Sequence, residues 1–279
     1  MKRFVYLNNK FINFKTAKIS IEDRGFQFAD SVYEVIAFKE DNLIDINFHL
    51  KRLKFSLKSI SIRYKFTNSS IIKIFNKLIK MNKKNIGLLY LQISRGVQSR
   101  SHIYKNNIKP TIVIYILEKK FNPNIKNIKC VSAITYPDLR WKKRDIKSVS
   151  LLPNIIAAKE AGKQKAYEAI LIENGYVTEG TASNIWIVKN NYLITHPSNS
   201  DILKGITRDS IIKIIKNNNL KFKQKKFKKE LLYNSDEVFL TSSSSMVMPI
   251  NKIDNKIISN GKIGKITYKL AKLYNLKIN

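Results

Sequence analysis

A lysine held among apolar neighbours can react as a free amine, and a carboxylate on rigid backbone can hold a proton on a partner. Residues 144–184 offer both. Lys147 stands in Asp145-Ile146-Lys147-Ser148, ahead of Leu151-Leu152, and Glu179 closes Tyr176-Val177-Thr178 32 residues later, just before Gly180. A free lysine has a pKa of about 10.4 and is a poor nucleophile near neutrality. Burial and nearby cationic charge lower that value and free the amine for Schiff-base formation. The competing readings are ordinary: a strand-end surface lysine, one of 43 in the chain, and a solvated loop glutamate.

Other residue types suit an anionic ligand. Gly205-Ile206-Thr207 opens an expected helix, so unpaired N–H groups and the positive end of the dipole point outward there. Ser242 and Ser243 end an expected strand with hydroxyls. Arg52, in His49-Leu50-Lys51-Arg52-Leu53, faces away from an apolar stripe and could clamp a phosphate in a fork. Tyr33, Arg100 and His102 together can donate several hydrogen bonds to a carboxylate. Taken singly, each is equally a cap, a surface charge or a loop residue.

Periodicity supplies the elements that must position these groups. A hairpin opens the chain, with strands 4–7 and 11–14. Residues 21–28 form a polar-to-aromatic approach to a strand at 32–38. Asn47 is placed to cap a helix with Leu50, Leu53, Leu57 and Ile60 on one face. A second helix begins near Asn68 and presents Ile71, Phe75, Leu78 and Ile79. Strands follow at 88–94 and 111–117, which makes residues 1–120 an α+β domain. Residues 121–127, polar and proline-bearing, read as a linker. The second domain, 128–279, holds a helix over 153–165 and a hairpin turning at Asn174-Gly175, the strongest short hairpin signal. It then has a second hairpin turning at Asn190-Asn191, a helix from Gly205, a strand at 237–240 and a closing helix over 262–276.

Composition bounds the function. The chain has 279 residues, 44% of them hydrophobic, and one cysteine, Cys130, so no intrachain disulfide can form. No apolar run approaches the ~20 residues that span a bilayer, and the first residues are too short an apolar run for a signal core. A cytoplasmic protein with no membrane partner is expected. The formal charge of +32 raises the question of nucleic acid, but the excess is nearly all lysine mixed with Asn and Ile, and there are nine arginines. Nucleic-acid readout and stacking draw on arginine, so compositional bias is the better reading and no nucleic-acid partner is expected. In a chain so rich in lysine, a surviving arginine suggests a site that needs a planar, multi-donor fork; Arg3 and Arg63 are the expected exceptions.

The segments around Lys147 and Glu179 resemble those of class IV, pyridoxal-phosphate-dependent aminotransferases, and most closely the D-amino-acid aminotransferases. The resemblance runs from Asp23-Arg24-Gly25 to Gly261-Lys262-Ile263-Gly264. It implies an α+β, two-domain fold type IV enzyme with pyridoxal 5'-phosphate as cofactor. By resemblance, Lys147 forms the imine with the cofactor and then serves as the base at Cα. Glu179 keeps the ring nitrogen protonated, as an electron sink requires. Arg52, Ile206, Thr207, Ser242 and Ser243 match the phosphate cup. Tyr33 with Arg100-Ser101-His102 matches the site for the substrate carboxylate, and the Arg-x-His pair reaches in from the partner subunit, which implies a homodimer. The substrates implied are D-amino acids, D-alanine among them, and 2-oxo acids such as 2-oxoglutarate. Branched-chain L-amino-acid aminotransferases, the first alternative, usually lack the pair; aminodeoxychorismate lyase is the second. Two departures stand out. Ala29-Asp30-Ser31 replaces a segment that commonly ends in Gly. Met246-Val247-Met248 replaces a more polar run, which would enlarge the apolar side of the substrate pocket.

Overall fold

The computed structural model describes residues 3–118, 121, 125 and 128–278. The chain divides into two compact units, Met1–Phe121 with Ile146–Ser150, and Asn122–Asp145 with Leu151–Asn279. Of the linker expected over 121–127, only Phe121 and Ile125 are described, and the remainder lies outside the described residues.

In the first unit the elements are β1 (Phe4–Leu7), β2 (Lys10–Asn13), α1 (Arg24–Phe28), β3 (Ser31–Lys39), β4 (Asn42–Leu43), α2 (Ile46–Ser59), α3 (Asn68–Met81), β5 (Ile86–Ser94) and β6 (Thr111–Ile116). The strands form one sheet in the order β2-β1-β6-β5-β3-β4. Most of the residues read from helical spacing are buried: Leu50, Leu53 and Leu57 on α2, and Ile71, Phe75, Leu78 and Ile79 on α3, join Val32, Ile36, Leu89, Leu91 and Ile93 of the sheet in one core. Ile60, expected on the first stripe, is the C-cap of α2 and packs against that core half-buried. The Thr67 hydroxyl accepts from Ser70 N at 3.1 Å and starts α3. Helix α2 begins one residue before the expected Asn47 cap. Asp45 turns the chain in the left-handed region, with φ 55°, and caps without a side-chain hydrogen bond, so backbone geometry decides the start. The approach segment holds a helix of little more than one turn, α1, because Asp23 Oδ1 accepts from Gly25 N at 2.8 Å.

Residues 146–150 count with this unit, whereas the sequence reading places them in the second. Their backbone pairs with β3: Tyr33 N donates to Lys147 O at 3.0 Å and Val149 N to Ser31 O at 3.1 Å. Ile146 enters the core.

The second unit contains β7 (Val131–Pro137), α4 (Leu152–Lys163), β8 (Glu168–Glu173), β9 (Tyr176–Gly180), β10 (Asn184–Lys189), β11 (Tyr192–Thr195), α5 (Ile206–Asn217), β12 (Phe222–Gln224), α6 (Lys229–Tyr233), β13 (Glu237–Ser242), β14 (Met246–Ile253), β15 (Lys256–Ile257) and α7 (Lys265–Ile278). The sheet runs β12-β11-β10-β13-β14-β7-β8-β9, with β15 beside β14. Two parallel pairs, β7/β8 and β11/β12, are joined by the helical crossovers α4 and α5. Both hairpin turns read from sequence form. Asn174 (φ 51°) with Gly175 (φ 79°), and Asn190 (φ 49°) with Asn191 (φ 63°), supply the two positive φ values that a two-residue turn needs. Among the described residues no helix is long and apolar enough to cross a membrane.

Candidate active site

In the first unit, Lys147 is fixed by its backbone rather than its side chain. Its N–H donates to Ser56 Oγ at 3.2 Å and its carbonyl receives Tyr33 N. The half-buried amine reaches over the Tyr33 ring, with Nζ 4.2 Å from the centroid. Tyr33 stacks in turn on Tyr90 at 5.7 Å. Two of the residues chosen from sequence, Lys147 and Tyr33, are therefore direct neighbours.

Arg52, on α2, reaches β3 at Glu34, the residue after Tyr33. Its Nε donates to Glu34 Oε1 at 2.8 Å and its Nη2 to Glu34 Oε2 at 2.7 Å, while His49 Nδ1 lies 2.7 Å from Glu34 Oε2. Strand β3 and helix α2 thus present an arginine whose fork is oriented by a buried carboxylate. Burial alone would raise the Glu34 carboxyl, but Arg52 and His49 together bring it down to about 2. Burial also lowers His49, against the pull of Glu34. A depressed carboxyl contributes stability above its unfolded pKa that is lost as pH falls towards the folded value. The displacement corresponds to roughly 3 kcal/mol between about pH 5 and pH 2. Denaturant titrations of Glu34→Gln are expected to show a shallower acid-side loss of stability than wild type; equal slopes would mean that Glu34 is not ionised in the fold.

Arg100 and His102 lie on an exposed loop between β5 and β6. Both face Phe28 of α1. The Arg100 guanidinium is 4.5 Å from its ring centroid and the His102 ring meets it edge-on at 5.5 Å.

In the second unit Glu179 is buried at the end of β9. Its Oε1 accepts from Arg140 Nη1 at 2.5 Å and Leu203 N at 3.0 Å, and its Oε2 from Asn184 Nδ2 at 2.9 Å. Arg140 is itself held by Asp138, through Nε at 2.9 Å and Nη2 at 2.8 Å, and Asp138 also takes the Thr178 hydroxyl at 2.7 Å. Residue-by-residue reading missed Arg140 and Asp138. The usable signal was the scarcity of arginine: Arg24, Arg95, Arg144 and Arg208 are all buried and each sits in a multi-bonded fork. Arg3, expected to be incidental, also forks, to Glu118 and Ile116 O at 2.8 Å.

Asn184 joins Glu179 to the phosphate-type donors. Its amide also donates to Leu203 O at 2.9 Å, and its Oδ1 lies so close to Gly205 that a Cβ there would sit 2.0 Å away. Gly205 caps α5 with no side-chain hydrogen bond, so the first-turn N–H groups at Ile206 and Thr207 are available to an outside acceptor. Asn184 pairs with Thr241 across β10 and β13, which brings Ser242 and Ser243 to the same end of the sheet. Ser242 Oγ accepts from Ser245 N at 3.0 Å. Asn184 therefore bonds Glu179, abuts Gly205 just before Ile206 and Thr207, and lies opposite Thr241 just before Ser242 and Ser243.

The sequence profile described as amino-transferase class IV matches residues 31–253. The chain belongs to the class IV aminotransferases. It is 38% identical over 263 residues to a D-alanine aminotransferase of Bacillus licheniformis, covering 94% of this chain and 93% of that one. It is 37% identical over 268 residues to one from Staphylococcus epidermidis, covering 95% and 94%. The fold matches the branched-chain amino acid aminotransferase of Escherichia coli with a TM-score of 0.90 at 20% identity, covering 98% of this chain and 94% of that one. It matches that of Thermobaculum terrenum, solved in its PLP form, with a TM-score of 0.87 at 22% identity, covering 99% and 94%. This is the fold type IV, α+β architecture, and the cofactor of the class is pyridoxal 5'-phosphate.

The residues present fit that cofactor. A carboxylate has about four acceptor directions, and the three donors on Glu179 leave one on Oε2 for a ring N–H. In the second unit the open first turn of α5 and the serines at the end of β13 suit a phosphate; in the first, the Lys147 amine suits an aldehyde.

Proposed function

We propose that the chain is a D-amino-acid transaminase that moves the amino group of D-alanine to 2-oxoglutarate, giving pyruvate and D-glutamate. The observation that carries this reading is the exposed Arg100-Ser101-His102 loop, whose guanidinium and imidazole are both seated on Phe28. The names of the curated relatives support it. In this reading the protein works in the cytoplasm as a homodimer, and each chain's Arg100 and His102 serve the site of its partner.

Bound pyridoxal phosphate would supply an electron sink for the pair left when Cα loses its proton. This chain's residues do the rest. Lys147 Nζ would hold the cofactor through its aldehyde, and as a free amine it would take the proton from Cα. Glu179, kept in place by Arg140 and Asn184, holds the proton on the ring nitrogen. Arg52, Ile206, Thr207, Ser242 and Ser243 anchor the phosphate. Tyr33, Arg100 and His102 bind the α-carboxylate and so choose which face of Cα is turned to Lys147.

The test is a panel of paired D- and L-amino acids with 2-oxoglutarate, read as keto-acid product. Turnover of D-alanine with D-glutamate as product is expected. Turnover of L-leucine and not D-alanine would overturn the stereochemical assignment in favour of a branched-chain L-amino-acid aminotransferase.

A further inference from the structure

The loop that carries Arg100 and His102 has no regular secondary structure, yet its tip is held closely. Its ends are pinched at Gly96, where φ is +110° and a Cβ would lie 2.0 Å from the Lys109 carbonyl oxygen. Only glycine tolerates that approach. The Gln98 amide spans the interior, with Nε2 donating to Ile103 O at 3.0 Å and Oε1 accepting from Lys105 N at 2.8 Å. Beneath the tip lies Arg24, 4% exposed. Its Nη1 donates to Ser101 O at 2.5 Å and its Nη2 to His102 O at 3.3 Å, while its Nε bonds Asp30 Oδ2 at 2.9 Å.

Asp30 is the fixed point. Arg95 grips it from the other side, Nε to Oδ2 at 2.6 Å and Nη2 to Oδ1 at 2.9 Å, and lies 3.6 Å from the Tyr104 ring centroid further along the loop. Helix α1, which carries both Arg24 and Phe28, is anchored by Asp23, whose second oxygen takes the Ser94 hydroxyl at 2.9 Å. Phe28 is the common seat: the guanidinium of Arg24 is 4.8 Å from its centroid, that of Arg100 4.5 Å, and the His102 ring 5.5 Å.

We propose that Arg24 and Phe28 are positioning residues for the carboxylate site. Arg24 fixes the backbone at residues 101 and 102, and Phe28 fixes the directions of the Arg100 and His102 side chains. The inference rests on the reading of Arg100 and His102 as carboxylate ligands. Burying a guanidinium is costly unless its bonds are well made, and here two of them go to loop carbonyls. A fork recognises a carboxylate only when its two N–H vectors are aligned, so a small displacement of the tip weakens binding steeply.

The experiment compares Arg24→Lys, Phe28→Leu, Arg100→Lys and the double variant Arg24→Lys/Arg100→Lys as holoenzymes, on whichever amino acid the panel shows to be turned over. Phe28→Leu leaves the Arg24–Asp30 pair intact and stands in if Arg24→Lys folds poorly. For Arg24→Lys and Phe28→Leu we expect KM for amino acid and 2-oxo acid to rise about tenfold or more. We expect kcat within about threefold, unchanged cofactor affinity by absorbance titration, and an unchanged half-reaction with an alkylamine that lacks a carboxylate. The double variant should be no worse than Arg100→Lys alone, because both act through one contact. The positioning role is overturned on its own if Arg100→Lys raises KM while Arg24→Lys and Phe28→Leu do not, or if they lower cofactor affinity instead. If Arg100→Lys itself leaves KM untouched, the carboxylate assignment falls, and the positioning role falls with it.

Discussion

Lys147→Ala is expected to lower kcat by about a thousandfold or more, the range in which a positioned general base contributes. The change removes the reactive amine and little else. The strap that carries it is held through the Lys147 backbone, by Ser56 Oγ and Tyr33 N, and through Ile146 in the core. Fold and melting temperature should therefore stay close to wild type. Borohydride reduction of the holoenzyme followed by peptide mapping should place the pyridoxyl label on Lys147 in wild type and nowhere in the variant. Turnover within about tenfold of wild type, or a label on another lysine, would move the chemistry elsewhere among the 43 candidates.

Glu179→Gln separates stability from catalysis. Burial pushes the Glu179 carboxyl up, against the Arg140 guanidinium and the Leu203 N–H that pull it down. A carboxyl raised in the fold binds its proton more tightly than in the unfolded chain. Its ionised form therefore opposes folding increasingly as pH rises above the ordinary carboxylate range. Glutamine removes that cost, but it also removes the carboxylate that holds Arg140 up, while Arg140 keeps its two bonds to Asp138. With these two effects opposed, the cofactor-free variant should stay folded and melt close to wild type. Turnover should nevertheless fall by about a hundredfold or more, the scale of losing a preorganised electrostatic partner, because an uncharged amide no longer holds a proton on the ring nitrogen. The two readings are thermal melts without cofactor and kcat with it. A variant that melts well below wild type but turns over normally once folded would make Glu179 a structural acid.

Sequence alone carried what is local. Helical spacing picked the buried faces of α2 and α3, because a period of 3.6 is set by the backbone and not by the partner it packs on. The Asn-Gly and Asn-Asn turns could be read because a positive φ favours so few residue types. Lys147 and Glu179 could be chosen because each stands inside a contiguous motif. The short helix α1 was missed: five residues carry too little periodicity to show, and its start depends on the single Asp23 cap.

Tertiary structure decided who holds whom. Glu34 meets Arg52 across 18 residues, Arg140 meets Glu179 across 39 and Arg24 meets Ser101 across 77. Each pairing follows from strand register and from where a loop returns, and neither leaves a repeating mark in the chain. Scarce arginine hinted that forks were needed, but only the folded backbone could say which carboxylate or carbonyl each would grip.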